Sequence, residues 1–317
     1  MKPEKEIDVI EQDIADYSSM LLDILLADRT SGKNIVWASD DYAHMGAAYG
    51  AREQITPELI TGNNTNLIQP RTAKAQHSQV NRTRSKAEVF TPSWVCNVQN
   101  NLIDEAWFSR KDVFNISKGR TWKATKTPVQ FPDDKKRTWK KYVDANRLEI
   151  ACGEAPYLAS RYDAVSGDMI SIPNRIGLLD RKLRIVSENT DNEADWLKWT
   201  ERAFQSVYGF EFQGDSLLLA RENLLYTFAD YMHFHLHREP SRCEMKKIAT
   251  IISWNLWQMD GTSFTVPYGK IKEDSVQMTM PAVLGQPEYE NFTDPCRIKD
   301  WRSNVIVEYR SLLKEAG

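Results

Sequence analysis

The sequence predicts an α/β fold: a doubly wound, Rossmann-like parallel sheet preceded by a helical N-terminal region. Three observations predict it. Short apolar runs with a carboxylate at or next to their end recur in "RLEI", "YGFEF" and "IATIISWNLWQMDG". Helical patterns, "EADWLKWTERAFQSV" and "DSLLLARENLLYTFADYMHFHL", lie between them. The first run breaks into the tight turn Cys152-Gly153-Glu154-Ala155-Pro156. Strands alternating with helices build a parallel sheet, and such sheets hold ligands at the carboxyl ends of their strands.

Taken in order, residues 6–28 place Ile7, Ile10, Ile14, Tyr17, Leu21, Ile24 and Leu25 at helical spacing, which predicts an amphipathic helix. A turn-rich segment with "TGNNTN" at 61–66 follows. Residues 1–85 therefore read as a largely helical region ending in a basic arm, and residues 86–317 as the α/β unit. "TPSWVCNVQNNLIDEAWF" predicts a helix with Thr91 as N-cap and Pro92 at the first helical position. A basic loop over 110–141 precedes the strand at Arg147, and a polar insertion follows the turn as far as residue 190.

Composition narrows the class. With 41% hydrophobic and 27% charged residues the chain is an ordinary globular protein. No apolar stretch reaches the ~18 residues of a membrane span, and "MKPEKEIDVI" has no signal-peptide core, so a cytoplasmic protein is expected. Cys96, Cys152, Cys243 and Cys296 are far apart, which argues against a disulfide framework and a structural zinc site. The net charge of −3 is unevenly spread. Arg71, Lys74, Arg82, Arg84 and Lys86 form an arm without acids. "SKGRTWKATKTP" and "KKRTWKKY" mix Lys123, Lys136, Arg137 and other cations with Trp122, Trp139 and Tyr142. Cations interleaved with aromatics suit a phosphate backbone with stackable bases, although a solvated lysine-rich loop has the same composition.

The acids at the strand ends suggest chemistry. A turn of small residues at 152–155 lets backbone N–H groups approach a ligand. Glu211 at the next strand end can accept from ribose hydroxyls, and Asp260 at the third from an exocyclic amine. Each acid alone is ordinary; the ordered set favours an adenosine-containing ligand. Two rival patterns are weaker. His233, His235 and His237 alternate, but on a helix that spacing splays the rings, so no metal is expected. Asp168 with Asp180-Arg181-Lys182 matches the short D…(D/E)-x-K pattern of metal-dependent nucleases.

"AEVFTPSWVCNVQNNLID", "RLEIACGEAPYLASRYD", "YGFEFQGDSLLLARENLL" and "IISWNLWQMDG" resemble, in order, the S-adenosylmethionine motifs of bacterial N6-adenine DNA methyltransferases of the restriction endonuclease subunit M group. The resemblance covers residues 30–317 and implies a class I methyltransferase-like sheet with S-adenosylmethionine as cofactor and DNA as partner. Phe90, Thr91 and Pro92 would close over the methionine part. Glu149, Cys152, Gly153 and Ala155 would form the D-x-x-x-G-x-G loop, with Ala155 in place of the second glycine, tolerable if its φ is negative. Glu211 would hold the ribose and Asp260 the adenine edge. Arg82, Arg84, Lys86, Lys123, Lys136 and Arg137 would position DNA.

The family holds its target base with an Asn/Asp/Ser-Pro-Pro-Tyr/Phe tetrapeptide, absent here. Gln286-Pro287-Glu288-Tyr289 is a degraded look-alike, leaving Gln286 and Tyr289 as weak catalytic candidates. In longer relatives a segment like "CRIKDWRSNVIVEYRSLL" precedes the tetrapeptide. The alternative expectation is therefore an inactive or split methyltransferase-like protein whose missing motif lies on a second polypeptide.

Overall fold

The computed structural model describes residues 11–73, 91–269 and 294–314. The N-terminal helical stripe forms two helices, α1 (Glu11–Tyr17) and α2 (Ser19–Leu26). They are separated at Ser18, whose backbone is extended. The expectation of a largely helical region then needs correction. Between α2 and residue 73 only α3 (Pro57–Ile60) and short 3₁₀ turns are helical. Glycine and asparagine in "RTSGKN" and "TGNNTN" favour turns over helix propagation.

α4 (Ser93–Phe108) starts one residue later than expected, with Pro92 rather than Thr91 at the N-cap. The cap is supplied from outside the helix: Asp163 Oδ2 accepts from the Ser93 N–H at 2.7 Å. The basic stretch is not a plain loop. It holds the antiparallel hairpin β1 (Asn115–Lys118) and β2 (Thr121–Ala124), turning at Gly119 with φ +58°, followed by α5 (Trp139–Asp144). Then come β3 (Arg147–Ile150), α6 (Leu178–Asn189), α7 (Glu193–Gln205) and β4 (Val207–Glu211). α6 lies inside the stretch read as a polar insertion; its charged Asp180, Arg181 and Lys182 are buried, which hid its apolar face.

α8 (Gly214–Leu236) and α9 (Arg242–Asn255) lead to β5 (Leu256–Gln258). "IATIISWN" is thus the end of a helix, and only "LWQ" is strand. Its i, i+3, i+4 positions Ile248, Ile251 and Ile252 pack inward, a spacing that a continuous apolar run conceals. β6 (Arg297–Asp300), β7 (Val305–Glu308) and α10 (Tyr309–Lys314) complete the described chain.

The architecture is mixed α/β around a parallel three-stranded sheet in the order β3-β4-β5. Glu149 pairs with Gly209 and Glu211 with Gln258, which sets the strand ends side by side. One face carries the large core, a continuous cluster from Ile14, Leu22 and Leu25 through Leu183, Trp196, Phe204, Leu218 and Phe228 to Ile252. Residues 11–73 share this core with the α/β part. Tyr208, Phe210 and Trp257 point to the other face, under Ile298 and Tyr309 of the β6–β7 hairpin and α10.

Two devices lock the N-terminal region on. A Cβ at Gly214 would lie 2.1 Å from the Val36 carbonyl oxygen, so only glycine lets that segment cross the start of α8. Buried Arg221 on α8 donates to the carbonyls of Leu25, Ala27 and Leu256, joining the end of α2 to β5. Burial, more than any neighbouring charge, lowers its pKa to about 9. No helix among the described residues is long and apolar enough to cross a membrane.

Candidate functional site

The 151–155 turn leaves β3 with three residues in the left-handed region: Ala151 at φ +48°, Gly153 at +53° and Ala155 at +61°. The condition set for Ala155, a negative φ, is not met. Its methyl is fully buried, so packing holds the residue in a backbone region that glycine would occupy without strain. Cys152 turns inward onto β4. A Cβ at Gly209 would stand 3.3 Å from its Sγ, which explains a glycine inside a buried strand. Burial first, then the charges of Glu149 and Glu211, push the Cys152 thiol well above its ordinary pKa. It is a packing group, not a nucleophile.

Glu149 braces the turn from beneath. Its carboxyl accepts from the N–H groups of Tyr157 (3.3 Å) and Leu158 (3.1 Å). Burial pushes its pKa up to about 8, against those two hydrogen bonds. Glu211 closes the turn from the side. Its Oε2 accepts from Gly153 N–H at 2.9 Å, and its Oε1 from Phe212 (2.8 Å) and Gln213 (3.1 Å). Burial raises its pKa as well, while the three N–H groups pull the other way. Asp260, one residue beyond Met259, shapes its own loop, accepting from Thr262 N–H at 2.8 Å. Met259 N–H in turn donates to the Glu211 carbonyl, which places the ends of β4 and β5 together.

Thr91 and Pro92 join this end of the sheet through α4. The Thr91 carbonyl faces the buried Cys96 thiol, and the Tyr157 side chain interacts with both Thr91 and Cys96. Asp163 fixes this arrangement. Burial opposes its ionisation, but N–H donors from Ser166, Ser93 and Val165 outweigh it and hold its carboxyl below the usual value. The sequence motifs contained Asp163 and Tyr157 without assigning either a role; no spacing rule links position 163 to a helix start at 93. Phe212 and Tyr268 were also missed. Their rings meet edge to face at 5.8 Å beside Glu211, and Arg52 lies over Tyr268 at 4.4 Å.

Phe90, Gln286, Tyr289, Arg82, Arg84 and Lys86 lie outside the described residues. Of the other proposed DNA contacts, Lys123 is exposed on β2 and Lys136 is exposed after Asp134. Arg137 is engaged internally, with Nε on Asp134 at 2.8 Å and Nη1 on Ser109 at 2.9 Å. The nuclease pattern does not assemble. Asp180 is buried and caps its own helix through Ser160 and Gly177, and Lys182 donates to the carbonyls of Val143 and Ala145. Asp168 is instead tied to Ser166. Among the described residues no group of three or more His, Cys, Asp or Glu is placed to hold a metal.

Comparison of the chain with protein-family models, curated proteins and solved structures finds no match.

Proposed function

We propose that this chain is an S-adenosylmethionine-dependent DNA methyltransferase of the adenine-N6 type, from a restriction-modification or phage system, built on a Rossmann-like sheet. The observation that carries this reading is the hydrogen bond from Gly153 N–H to Glu211. It joins the turn after one parallel strand to the acid ending the next, at the sheet end where open α/β folds take ligands.

The residues fit the cofactor. A carboxylate has about four acceptor directions, and Glu211 uses three, leaving one for a ribose hydroxyl and a second if the Gly153 bond is exchanged. Phe212 and Tyr268 offer an apolar wall for an adenine ring, and Asp260 an acceptor for its amine. Asp163 is held ionised, and a sulfonium or ammonium lying against Glu149 and Glu211 would favour the ionised forms that burial opposes. Bound there, S-adenosylmethionine supplies an electrophilic methyl group. The chain's own part is to hold the ribose, brace the turn through Glu149 and keep Thr91-Pro92 against Tyr157 through Asp163.

A second reading, a split enzyme, is favoured by one observation. β3 has a strand on only one side among the described residues, and its Leu148 and Ile150 are 42% and 68% exposed. The free edge of β3 would accept a further strand from a second polypeptide, and an element of that polypeptide packed on the face would cover Leu148 and Ile150, since parallel sheets are normally covered on both faces. Incubating the chain with methyl-labelled S-adenosylmethionine and mixed-sequence DNA separates the two. Cofactor binding with label in DNA supports the complete enzyme, and binding without transfer supports the split one. Absence of both rejects the cofactor reading.

A further inference from the structure

Two segments singled out in the sequence, the Lys/Trp stretch and "HFHLH", meet at one place. β2 and the residues after it, the turn at 172–174, α6 and the end of α8 enclose a cleft of about 670 Å³, within the range of small-molecule and nucleotide pockets. Trp122 Nε1 donates to the Asn174 carbonyl at 2.8 Å, which pins β2 against the 172–174 turn.

Most polar groups of the lining are already satisfied. Arg184 donates to Glu188 and to the carbonyls of Phe114, Thr125 and Thr127. Glu188 also accepts from Val129 N–H. Ser187 accepts from Trp196, and Tyr231 donates to the Asp180 carbonyl. His235 stacks on Trp196 at 5.8 Å; burial and then His237 hold its pKa below the ordinary value, so the ring is neutral at pH 7. Three groups remain without partners among the described residues: the ammoniums of Lys123 and Lys126, and the ring of Phe234, which is 52% exposed. Lys118 and Arg120 extend the positive charge along the same hairpin.

Two free cations beside a free aromatic face complement an anion that carries a flat ring. We propose that this cleft holds an unpaired nucleotide of single-stranded DNA, with the base stacked on Phe234 and the phosphates on Lys123 and Lys126. A base inside a duplex has both faces covered and cannot stack on Phe234, so the cleft selects single strands. The proposal takes its DNA partner and Lys123 from the methyltransferase reading and rests on it to that extent, and nothing in it depends on the cofactor.

The test is fluorescence anisotropy, without S-adenosylmethionine, using a labelled oligothymidylate of about ten nucleotides, a typical single-strand site size. The matching duplex and the oligouridylate serve as comparison probes. The expected result is single-strand DNA bound more tightly than either. Phe234→Ala should weaken binding about tenfold and Phe234→Trp retain it, as base–aromatic stacking requires. Lys123→Ser with Lys126→Ser should lower the log–log salt slope by about 1.4, about 0.7 per lost phosphate contact. Thermal unfolding of each variant checks that it is folded. Unchanged binding by folded Phe234→Ala, no binding of the oligothymidylate, or tighter binding of duplex or oligouridylate overturns the proposal. A failed cofactor titration on the same sample would count against the methyltransferase reading alone.

Discussion

Ala155 concentrates the tension of the turn in one residue, a buried methyl at φ +61°. Ala155→Gly relieves about 1 kcal/mol of backbone strain and forfeits about 0.8 kcal/mol of methyl burial. Its urea-unfolding free energy should therefore stay within about 1 kcal/mol of wild type. Ala155→Val adds a β-branched side chain to the same left-handed, fully buried position and should lose about 2 kcal/mol or more; an equally stable Val variant would contradict the placement of this turn. Glu149 and Glu211 make a second prediction. Both carboxyls are held above their ordinary pKa by burial, Glu149 to about 8. A cationic ligand favours their ionised forms, so affinity for S-adenosylmethionine should rise as pH increases from 6 toward 8 and then level off. Calorimetric titrations across that range, corrected for buffer ionisation, measure it, and an affinity that falls with pH would exclude direct contact between these acids and the cofactor's charge.

At the scale of elements, β3 is an open edge and Gly214 a sealed contact. Ile150→Lys should change the stability of this chain by no more than about 0.5 kcal/mol, because the side chain is already mostly in water. Under the split reading it should abolish activity reconstituted with a second polypeptide. Gly214→Ala drives a methyl into the Val36 carbonyl and should cost several kcal/mol in urea unfolding. The sequence made the strand–helix alternation legible because Glu149, Glu211 and Asp260 end short apolar runs and α7 and α8 have helical period. It hid α6, whose inward face carries Asp180, Arg181 and Lys182, each hydrogen-bonded inside the protein. It also hid the start of β5, since "IATIISWNLWQ" is apolar through both helix and strand. At the site, acids at the strand ends could be read from local pattern. Asp163, Tyr157 and Tyr268 could not, because each acts on a residue distant in sequence.

Among the described residues the larger of the two apolar cores joins the N-terminal helices to the α/β part, and its least comfortable point is the pair Glu11 on α1 and Glu222 on α8. Glu11 and Glu222 are both fully buried, and among the described residues none of their carboxyl oxygens has a hydrogen-bond partner. Burial pushes Glu11 up to about 8, and burial together with Glu11 pushes Glu222 well above its usual value. Groups whose pKa is raised by folding contribute stability fully below the unfolded value of about 4.3, and lose it as pH rises through the folded one. Thermal stability should therefore decline between pH 6 and pH 9. Glu11→Gln, which keeps the shape and removes one titration, should flatten that decline; an unchanged profile in the variant would show that the pair does not govern it.

We propose that the end of the sheet bounded by Gly153, Glu211 and Asp260 binds S-adenosylmethionine. The most direct measurement is calorimetric titration of the cofactor into the wild-type chain and into Glu211→Ala, with urea unfolding of both. Wild type should show saturable one-site binding, and the variant, still folded, none. Absence of binding by wild type, or equal binding by the folded variant, would contradict it.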